Sequence, residues 1–416
     1  MLNFSLILNL LLILTVAWVL GLVFTRMGLP VMLGELLAGI ILGPPILGII
    51  GISPSIEMLA ELGIFFVMFH TGMEMDPREL VEHIWSALSV AVGGFVLPFA
   101  LGYLTVSLFG GTVIQSLFVG MGVSITAIAV QAVILQSMRI NRSKVGHIIM
   151  GAAIADDILA LVALSTLLGF AKTGSVQLTA LLLIFLKVSG FFALTIVIGH
   201  FIMPPLTRRL TNQGGKAFMF AMTSALLMAY LAELAGLHLI IGAFLAGQFV
   251  RKEIMDAEVY EAISSHFYSI SYGFLVPIFF ASLSFHLHFT WSWSFLLFAG
   301  VLIFVAFLGK LVGCGLGASL FKYSLRESAI IGFGMNGRGA MELVVASVVL
   351  GLSNDLLKSK VISEPLLTID QFSGLVLMAF VTTLMAPITL KWAVGKTCLP
   401  AENEAFCALW DEAKNK

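Results

Sequence analysis

The stretch GAAIADDILALVALS, residues 151–165, places two adjacent carboxylates in the middle of an apolar run. The nearest charged residues are Lys144 before it and Lys172 after it, so Asp156 and Asp157 have no ionic neighbour in sequence. An acidic residue at the centre of a membrane span costs about 2.5–3.5 kcal/mol on insertion scales. The pair therefore needs partners of opposite charge, or water, from the rest of the chain.

The whole chain has the composition of a membrane protein. Its 416 residues are 59% hydrophobic and 11% charged, whereas a soluble domain has about 25% charged residues. The mean hydropathy is +1.06, and apolar runs of roughly 20 residues, the length that a helix needs to cross a bilayer, recur throughout. The net charge of −1 comes without a basic patch that would indicate nucleic-acid binding.

These runs predict an all-α polytopic membrane protein with about thirteen transmembrane helices. Segment 30–50 is marginal because it contains three prolines, and segment 237–251 is marginal because it is short. The first run lacks a basic residue before Arg26, so it is predicted to be a retained helix and not a signal peptide. The predicted segments are 4–25, 30–50, 56–74, 80–108, 113–137, 145–171, 176–202, 215–234, 237–251, 265–285, 291–321, 327–351 and 369–394.

Basic residues separate strongly between the two sides of these segments. Twelve lie in the loops after spans 1, 3, 5, 7, 9 and 11, and four lie at the C-terminal end, against three on the opposite side. Because Lys and Arg accumulate in cytoplasmic loops, the N-terminus is predicted outside and the short tail 395–416 in the cytoplasm. Lys187, Lys310 and Arg338 are left inside predicted spans.

Spans 2 to 5 carry weak matches to the spans seven positions later. GELLAG at 34–39 matches GAFLAG at 242–247, and GMG at 120–122 matches GFG at 332–334. An odd separation of seven spans gives the two halves opposite orientations. The pattern therefore predicts an inverted repeat of six plus six spans, joined by a linker helix at about 176–202. Such repeats are characteristic of secondary transporters, whose ion sites lie at the repeat interface.

Two of the matched spans contain signals of broken helices. GMGVSITAIAV at 120–130 and GFGMNGRGAMELVV at 332–345 are rich in glycine and polar residues. Each Gly weakens a helix by about 1 kcal/mol relative to Ala, so unwinding is expected near 124–127 and 335–339. Freed carbonyls and helix ends there would steady a cation, with the hydroxyls of Ser124 and Thr126 close by. Simple packing of glycines between helices is the alternative.

Lys310 is the favoured cationic partner for the carboxylates. It is deep within its span, too far from either end to reach the interface easily. Lys187 is the alternative, although it lies in the linker helix outside both repeat units. Successive helix positions point about 100° apart, so one of Asp156 and Asp157 can meet a cation while the other faces a cavity.

A second ion pair is predicted in the later broken span. Arg338 and Glu342 are four residues apart and so share a helix face. We interpret them, with Asn336, as supporting the broken helices, the ion pair neutralising the opposite broken span. A purely structural pair is the alternative.

Together these motifs resemble the monovalent cation:proton antiporter superfamily of the Kef and NapA type. The resemblance rests on GELLAGIILGP, TAIAV, ADDILAL, the mid-span Lys310 and GMNGRGAMELVV, and is strongest to NapA-like electrogenic sodium/proton antiporters. It implies a homodimer with two crossing discontinuous helices. A dimerisation part would occupy about 1–74 and 215–285, and a moving core about 80–171 and 291–394.

The resemblance also implies residue roles. Asp157 would be the main ion ligand, Asp156 would pair with Lys310, and Thr126 would lie where the broken helices cross. Kef-type potassium systems usually have Gln-Asp at the position of Asp156 and Asp157, and many continue into a nucleotide-binding domain. This chain ends about twenty residues after its last predicted span, which favours the NapA-like reading.

The sequence therefore predicts a transporter and not an enzyme. The expected activity is electrogenic exchange of sodium, or of lithium or potassium, for protons, by elevator-type alternating access. The expected location is a prokaryotic plasma membrane, and no cofactor is expected. A Kef-like potassium/proton antiporter is one alternative, and a cation channel or a cation-sensing receptor is an alternative from another class.

Overall fold

The structure of the protein is a computed structural model that describes residues 4–397, except 28, 174–177, 208–214, 251–254, 286–291 and 359–363. The basic loop residues Arg208, Arg209, Arg251, Lys252 and Lys360 lie outside the described residues, as does the predicted tail beyond Thr397. Throughout the described ranges the regular structure is helical, without a strand.

Eighteen α-helices are described, and two of their junctions are π-helical turns at Ile198–Ile202 and Ser271–Leu275. In chain order the helices are α1 (Phe4–Arg26), α2 (Val31–Leu42), α3 (Pro54–Glu74), α4 (Pro77–Glu82), α5 (Ile84–Leu108), α6 (Val113–Ser124), α7 (Ile128–Ser137), α8 (Lys144–Thr173), α9 (Leu178–Val197), α10 (Met203–Thr207), α11 (Lys216–Leu234), α12 (Leu239–Gly247), α13 (Ala257–Ile270), α14 (Val276–Ser284), α15 (Trp293–Ser319), α16 (Leu325–Gly334), α17 (Ala340–Lys358) and α18 (Ile369–Thr397).

The chain is a multi-span membrane protein. Within the described ranges, ten helical segments are long and apolar enough to cross a membrane. Two predicted spans are shorter than expected, since α2 has 12 residues and α12 has 9. Helix α2 stops before Pro44 and Pro45, because proline lacks an N–H donor and disfavours helical backbone in the residue before it. The total of thirteen crossings and their orientation remain predictions.

One compact unit contains Met1–Val81 and Leu182–Phe285. Its helices approach closely at glycines. A Cβ atom at Gly39 on α2 would lie 2.2 Å from the Ala281 oxygen on α14, and one at Gly72 on α3 would lie 2.0 Å from the Phe244 oxygen on α12. Small residues of this kind allow the close packing of membrane helices. The stacked rings of Phe69 and Phe267, with centroids 4.3 Å apart, fill the space beside α3.

The second compact unit contains Glu82–Leu181 and His286–Lys416. Its two long helices α5 and α15 meet backbone to backbone at glycines. A Cβ atom at Gly313 would lie 2.2 Å from the Gly93 oxygen, and one at Gly317 would lie 2.4 Å from the Ser89 oxygen. Ser89 Oγ also donates to the Gly317 carbonyl at 2.9 Å. This packing holds α15, and therefore Lys310 one turn before Gly313, against α5.

Both predicted helix breaks are present in the second unit. Helix α6 ends at Ser124 and α7 begins at Ile128, while α16 ends at Gly334 and α17 begins at Ala340. The backbone of Ile125 and Ala127 is extended. The Ala127 N–H donates to the Gly337 carbonyl at 3.2 Å, so the two broken segments touch each other directly.

Candidate ion-binding site

Five charged side chains are buried around the broken helices of the second unit. Their exposed fractions are 0% for Asp156, Lys310 and Arg338, 2% for Glu342 and 3% for Asp157. At these values water screens none of the charges, so the protein itself must balance them. Asp157 lies in the electrostatic field of Asp156, Glu342 and Lys310. The cluster holds three carboxylates against two cations, which makes it attractive to a further cation or proton.

Asp156 on α8 and Lys310 on α15 form a buried ion pair. Lys310 Nζ donates to Asp156 Oδ2 at 3.1 Å. Lys187, the alternative partner predicted from the sequence, is exposed on α9 and belongs to the first compact unit, not to the unit that contains the aspartates. The structure therefore brings together the favoured lysine and one of the two adjacent aspartates. Asp156 Oδ1 accepts no hydrogen bond from the described residues.

Asp157 has a different environment from its neighbour. Neither of its carboxylate oxygens accepts a hydrogen bond within the described part of the chain. The turn of about 100° between consecutive helix positions separates the two aspartates, so that only one reaches Lys310. A buried carboxylate without a donor is costly, and binding either a cation or a proton removes that cost.

Three polar side chains at the breaks differ in how their oxygens are used. Ser124 Oγ donates to the Gly120 carbonyl at 2.8 Å within its own helix. Thr126 Oγ1 is buried in the extended segment and has no hydrogen-bond partner among the described residues. Asn336 Nδ2 donates to the Gly332 carbonyl at 2.9 Å, which leaves Oδ1 without a donor in the same set. Thr126 and Asn336 thus keep oxygens of the type that a hard cation prefers.

Arg338 connects the two broken spans. Its Nη1 donates to the Val123 carbonyl at the C-terminal end of α6, and its Nη2 donates to the Ala306 carbonyl at 3.4 Å. The same Nη1 is 3.9 Å from Glu342 Oε1. The last carbonyls of a helix carry a partial negative charge, so the guanidinium stabilises the end of α6 that the break leaves open.

Glu342 occupies the first turn of α17, where partial positive charge favours a carboxylate. Its Oε2 accepts from the Gly339 N–H at 2.5 Å. The ion pair predicted from the four-residue spacing thus has each charge at a helix end of the opposite polarity.

Two residues outside the predicted site hold the second break in place. Gln131 Nε2 on α7 donates to the Gly337 carbonyl at 3.0 Å. Thr383 on α18 accepts from the Arg338 N–H at 3.0 Å and donates its hydroxyl hydrogen to the Arg338 carbonyl. Both are polar residues inside apolar runs, which is the signal that could have identified them.

Comparison with known protein families gives one extended match. A family model described as "Sodium/hydrogen exchanger, transmembrane" matches residues 10–396, and so includes the ion pairs and both helix breaks.

Curated proteins with related sequences are transporters by name. The chain is 33% identical over 372 residues to the Na(+)/H(+)-K(+) antiporter GerN of Bacillus cereus, covering 89% of this chain and 91% of that protein. It is 28% identical over 373 residues to a Na(+)/H(+) antiporter of Enterococcus hirae, covering 89% and 93%.

A solved structure has a similar fold. The chain matches the sodium proton antiporter MjNhaP1 from Methanocaldococcus jannaschii with a TM-score of 0.74 at 18% identity, covering 94% of this chain and 97% of that one. At this identity the likeness concerns the fold alone.

Proposed function

The chain belongs to the sodium/hydrogen exchanger family, and we propose that it exchanges sodium for protons at Asp157. One observation carries the assignment of the residue. Asp157 is buried with both oxygens unbonded among the described residues, while its neighbour Asp156 is already paired with Lys310 at 3.1 Å. The ion-binding role of Asp157, together with Asp156 and Thr126, is therefore a proposal that rests on burial and on oxygens without a hydrogen bond among the described residues. Ser124 is included because it is buried at the end of α6, next to the break.

The proposed mechanism is competition for one site. Ionised Asp157 binds a sodium ion, and protonation of its carboxylate releases that ion. Lys310 and Asp156 provide a second ionisable position, because a proton taken up or lost there changes the charge of the pair. Exchange of two protons for one sodium ion moves net charge, so the transport is proposed to be electrogenic.

Arg338, Glu342 and Asn336 have a supporting role in this proposal. Arg338 keeps the C-terminal carbonyl of α6 bonded while the neighbouring backbone is unwound. Alternating access is proposed to be of the elevator type, with the site residues moving together, since all of them lie in one compact unit. A homodimer and a plasma-membrane location belong to the same proposal.

Potassium/proton exchange is the second candidate, because the relative GerN is named a Na(+)/H(+)-K(+) antiporter. Ion competition with sodium, lithium and potassium in vesicles separates the two candidates. A cation channel would instead conduct a steady current without coupled proton movement.

The experiment that tests the proposal uses purified protein in vesicles loaded with protons. External sodium should raise the internal pH with the parent protein, and Asp157→Asn should reduce this exchange to the level of empty vesicles. Glu233→Gln, which changes an exposed acid on α11, serves as a control with parent-like exchange. Parent-like exchange by Asp157→Asn would show that the assignment of Asp157 is wrong.

A further inference from the structure

The compact unit formed by Met1–Val81 and Leu182–Phe285 contains a cavity whose lining includes none of the residues proposed for transport. Its volume is about 540 Å³, and it lies between α1, α2, the π-helical turn at Ser271–Leu275 and the start of α14. This volume is in the range of about 300–1,000 Å³ that is typical of small-molecule sites. π-Helical turns inserted in α-helices are frequent at functional sites.

Glu35 gives this cavity its chemical character. The side chain lines the cavity, is 6% exposed, and its Oε2 accepts no hydrogen bond within the described part of the chain. The described lining residues include no lysine or arginine. Burial of an ionised carboxylate oxygen without a hydrogen-bond donor is unfavourable in a membrane, so the site favours a positively charged occupant.

The rest of the lining selects the kind of cation. A bare metal ion requires several oxygen ligands, whereas most of the side chains around Glu35 are apolar. Thr25, one of the two lining threonines, already donates its hydroxyl hydrogen to the Gly21 carbonyl at 2.8 Å. Trp18 and Tyr272 are also among the lining residues, and aromatic side chains attract organic ammonium ions.

We propose that this cavity binds an amphipathic monoamine, with the carboxylate of Glu35 as counter-ion to its ammonium group. The N–H donors of the ammonium satisfy the carboxylate, and a hydrocarbon or aromatic body packs against Leu14, Leu22 and Val31. A zwitterionic lipid headgroup fits less well, because its phosphate would enter a cavity that has an acidic side chain and no basic one among the described lining residues.

Binding of dansylcadaverine, a primary amine with a fluorescent aromatic body, tests the proposal. The protein is placed in phosphatidylcholine nanodiscs without any ion gradient, so that the result is independent of sodium/proton exchange. The neutral N-acetyl derivative of the probe is the matched control ligand. We expect the parent protein to bind the amine at least tenfold more tightly than the acetylated probe. Equal binding of the two probes would overturn the proposal, because it would reflect apolar partition only.

Two substitutions test the site by different routes. Glu35→Gln removes the charge and keeps the shape, and should weaken amine binding at least tenfold, while Glu233→Gln should leave it unchanged. Gly273→Leu adds a side chain to a lining position where a Cβ atom meets nothing within 4 Å, so it should block the cavity without displacing backbone. Gly190→Leu, equally open but outside the lining, is its control.

Parent-like amine binding by Glu35→Gln or by Gly273→Leu would overturn the proposal. The unfolding temperature of each variant is measured alongside, and the comparison of the two probes on the parent protein holds even if a variant does not fold. Displacement of the probe when phosphatidylethanolamine replaces phosphatidylcholine would overturn the choice of a free amine in favour of a lipid headgroup.

Discussion

The two adjacent aspartates differ because a helix points consecutive residues in different directions. Asp156 on α8 accepts a hydrogen bond from Lys310 on α15, and Asp157 accepts none among the described residues. Composition and span length were sufficient to predict that the pair is intramembrane, and the inverted repeat favoured Lys310 over Lys187, which lies outside both repeat units. The assignment of one aspartate to the lysine came only from the family resemblance, since residue spacing alone is symmetrical between the two.

Removal of Lys310 should destabilise the protein more than removal of the whole ion pair. Lys310→Gln leaves an ionised Asp156 buried without its cation, and loss of one member of a buried pair costs about 3–5 kcal/mol. The double variant Lys310→Gln with Asp156→Asn replaces both charges and should recover part of that loss. Unfolding in detergent, followed for the parent, the two single variants and the double variant, measures the coupling. Strictly additive losses would show that the two charges do not depend on each other.

Gln131 and Thr383 show what residue patterns leave out. Their hydrogen bonds go to the backbone of Gly337 and Arg338, more than 40 positions away in sequence. A polar residue in an apolar run indicates that its side chain needs a hydrogen-bond partner. Tertiary packing decides which residue that partner is. The sequence could therefore indicate these two residues, but it could not predict that they hold the second helix break.

The sequence predicted the ends of helices correctly where neighbouring residues alone determine them. Glycine-rich, polar stretches predicted both breaks, because the low helix propensity of these residues unwinds the helix at their own positions. The span lengths were predicted less accurately than the breaks. Helix α2 ends at Leu42, eight residues before the predicted end of its segment. There the Pro44–Pro45 pair outweighs the apolar residues that continue after it.

The sequence GKLVGCGLG at 309–317 indicates a glycine face on α15, but it does not indicate which helix packs against that face. Glycines at four-residue intervals line up on one side of a helix and allow close helix packing. That α5 supplies the opposing backbone, at Gly93 and Ser89, follows only from the structure.

Gly313→Ala should test this packing. The added Cβ would lie 2.2 Å from the Gly93 carbonyl oxygen, so α5 and α15 must separate, at a cost of about 1–3 kcal/mol. Gly300→Ala is the matched control on the same helix, because a Cβ there meets nothing within 4 Å. Thermal unfolding in detergent compares the two variants. Equal unfolding temperatures for Gly313→Ala and Gly300→Ala would contradict the close α5–α15 contact.

The proposed function of the whole molecule depends on competition between sodium and protons, and the effect of pH on that competition has a definite sign. Protonation of Asp157 at low pH removes the negative charge that is proposed to bind sodium, so the sodium concentration for half-maximal exchange should rise as pH falls. By mass action the rise approaches about tenfold per pH unit for each competing proton. Sodium titrations of exchange in vesicles at several pH values measure it. A half-saturating sodium concentration independent of pH would exclude a shared site.

Orientation in the membrane is a property of the whole chain that follows from charge and not from the helices themselves. The sixteen-to-three bias of basic residues predicts that the α2–α3 loop is outside and that the α4–α5 junction is in the cytoplasm. In a variant without Cys314, Cys398 and Cys407, Gly51→Cys adds a thiol in open space in that loop, and Glu82→Cys adds one at an exposed position of that junction. A membrane-impermeant maleimide applied to intact cells should label the thiol at position 51 and not the one at 82. It should label both in opened membranes.

Labelling of position 82 alone in intact cells would show that the orientation is the reverse of the predicted one. Equal labelling of both positions in intact cells would show that the number of membrane crossings between them is even.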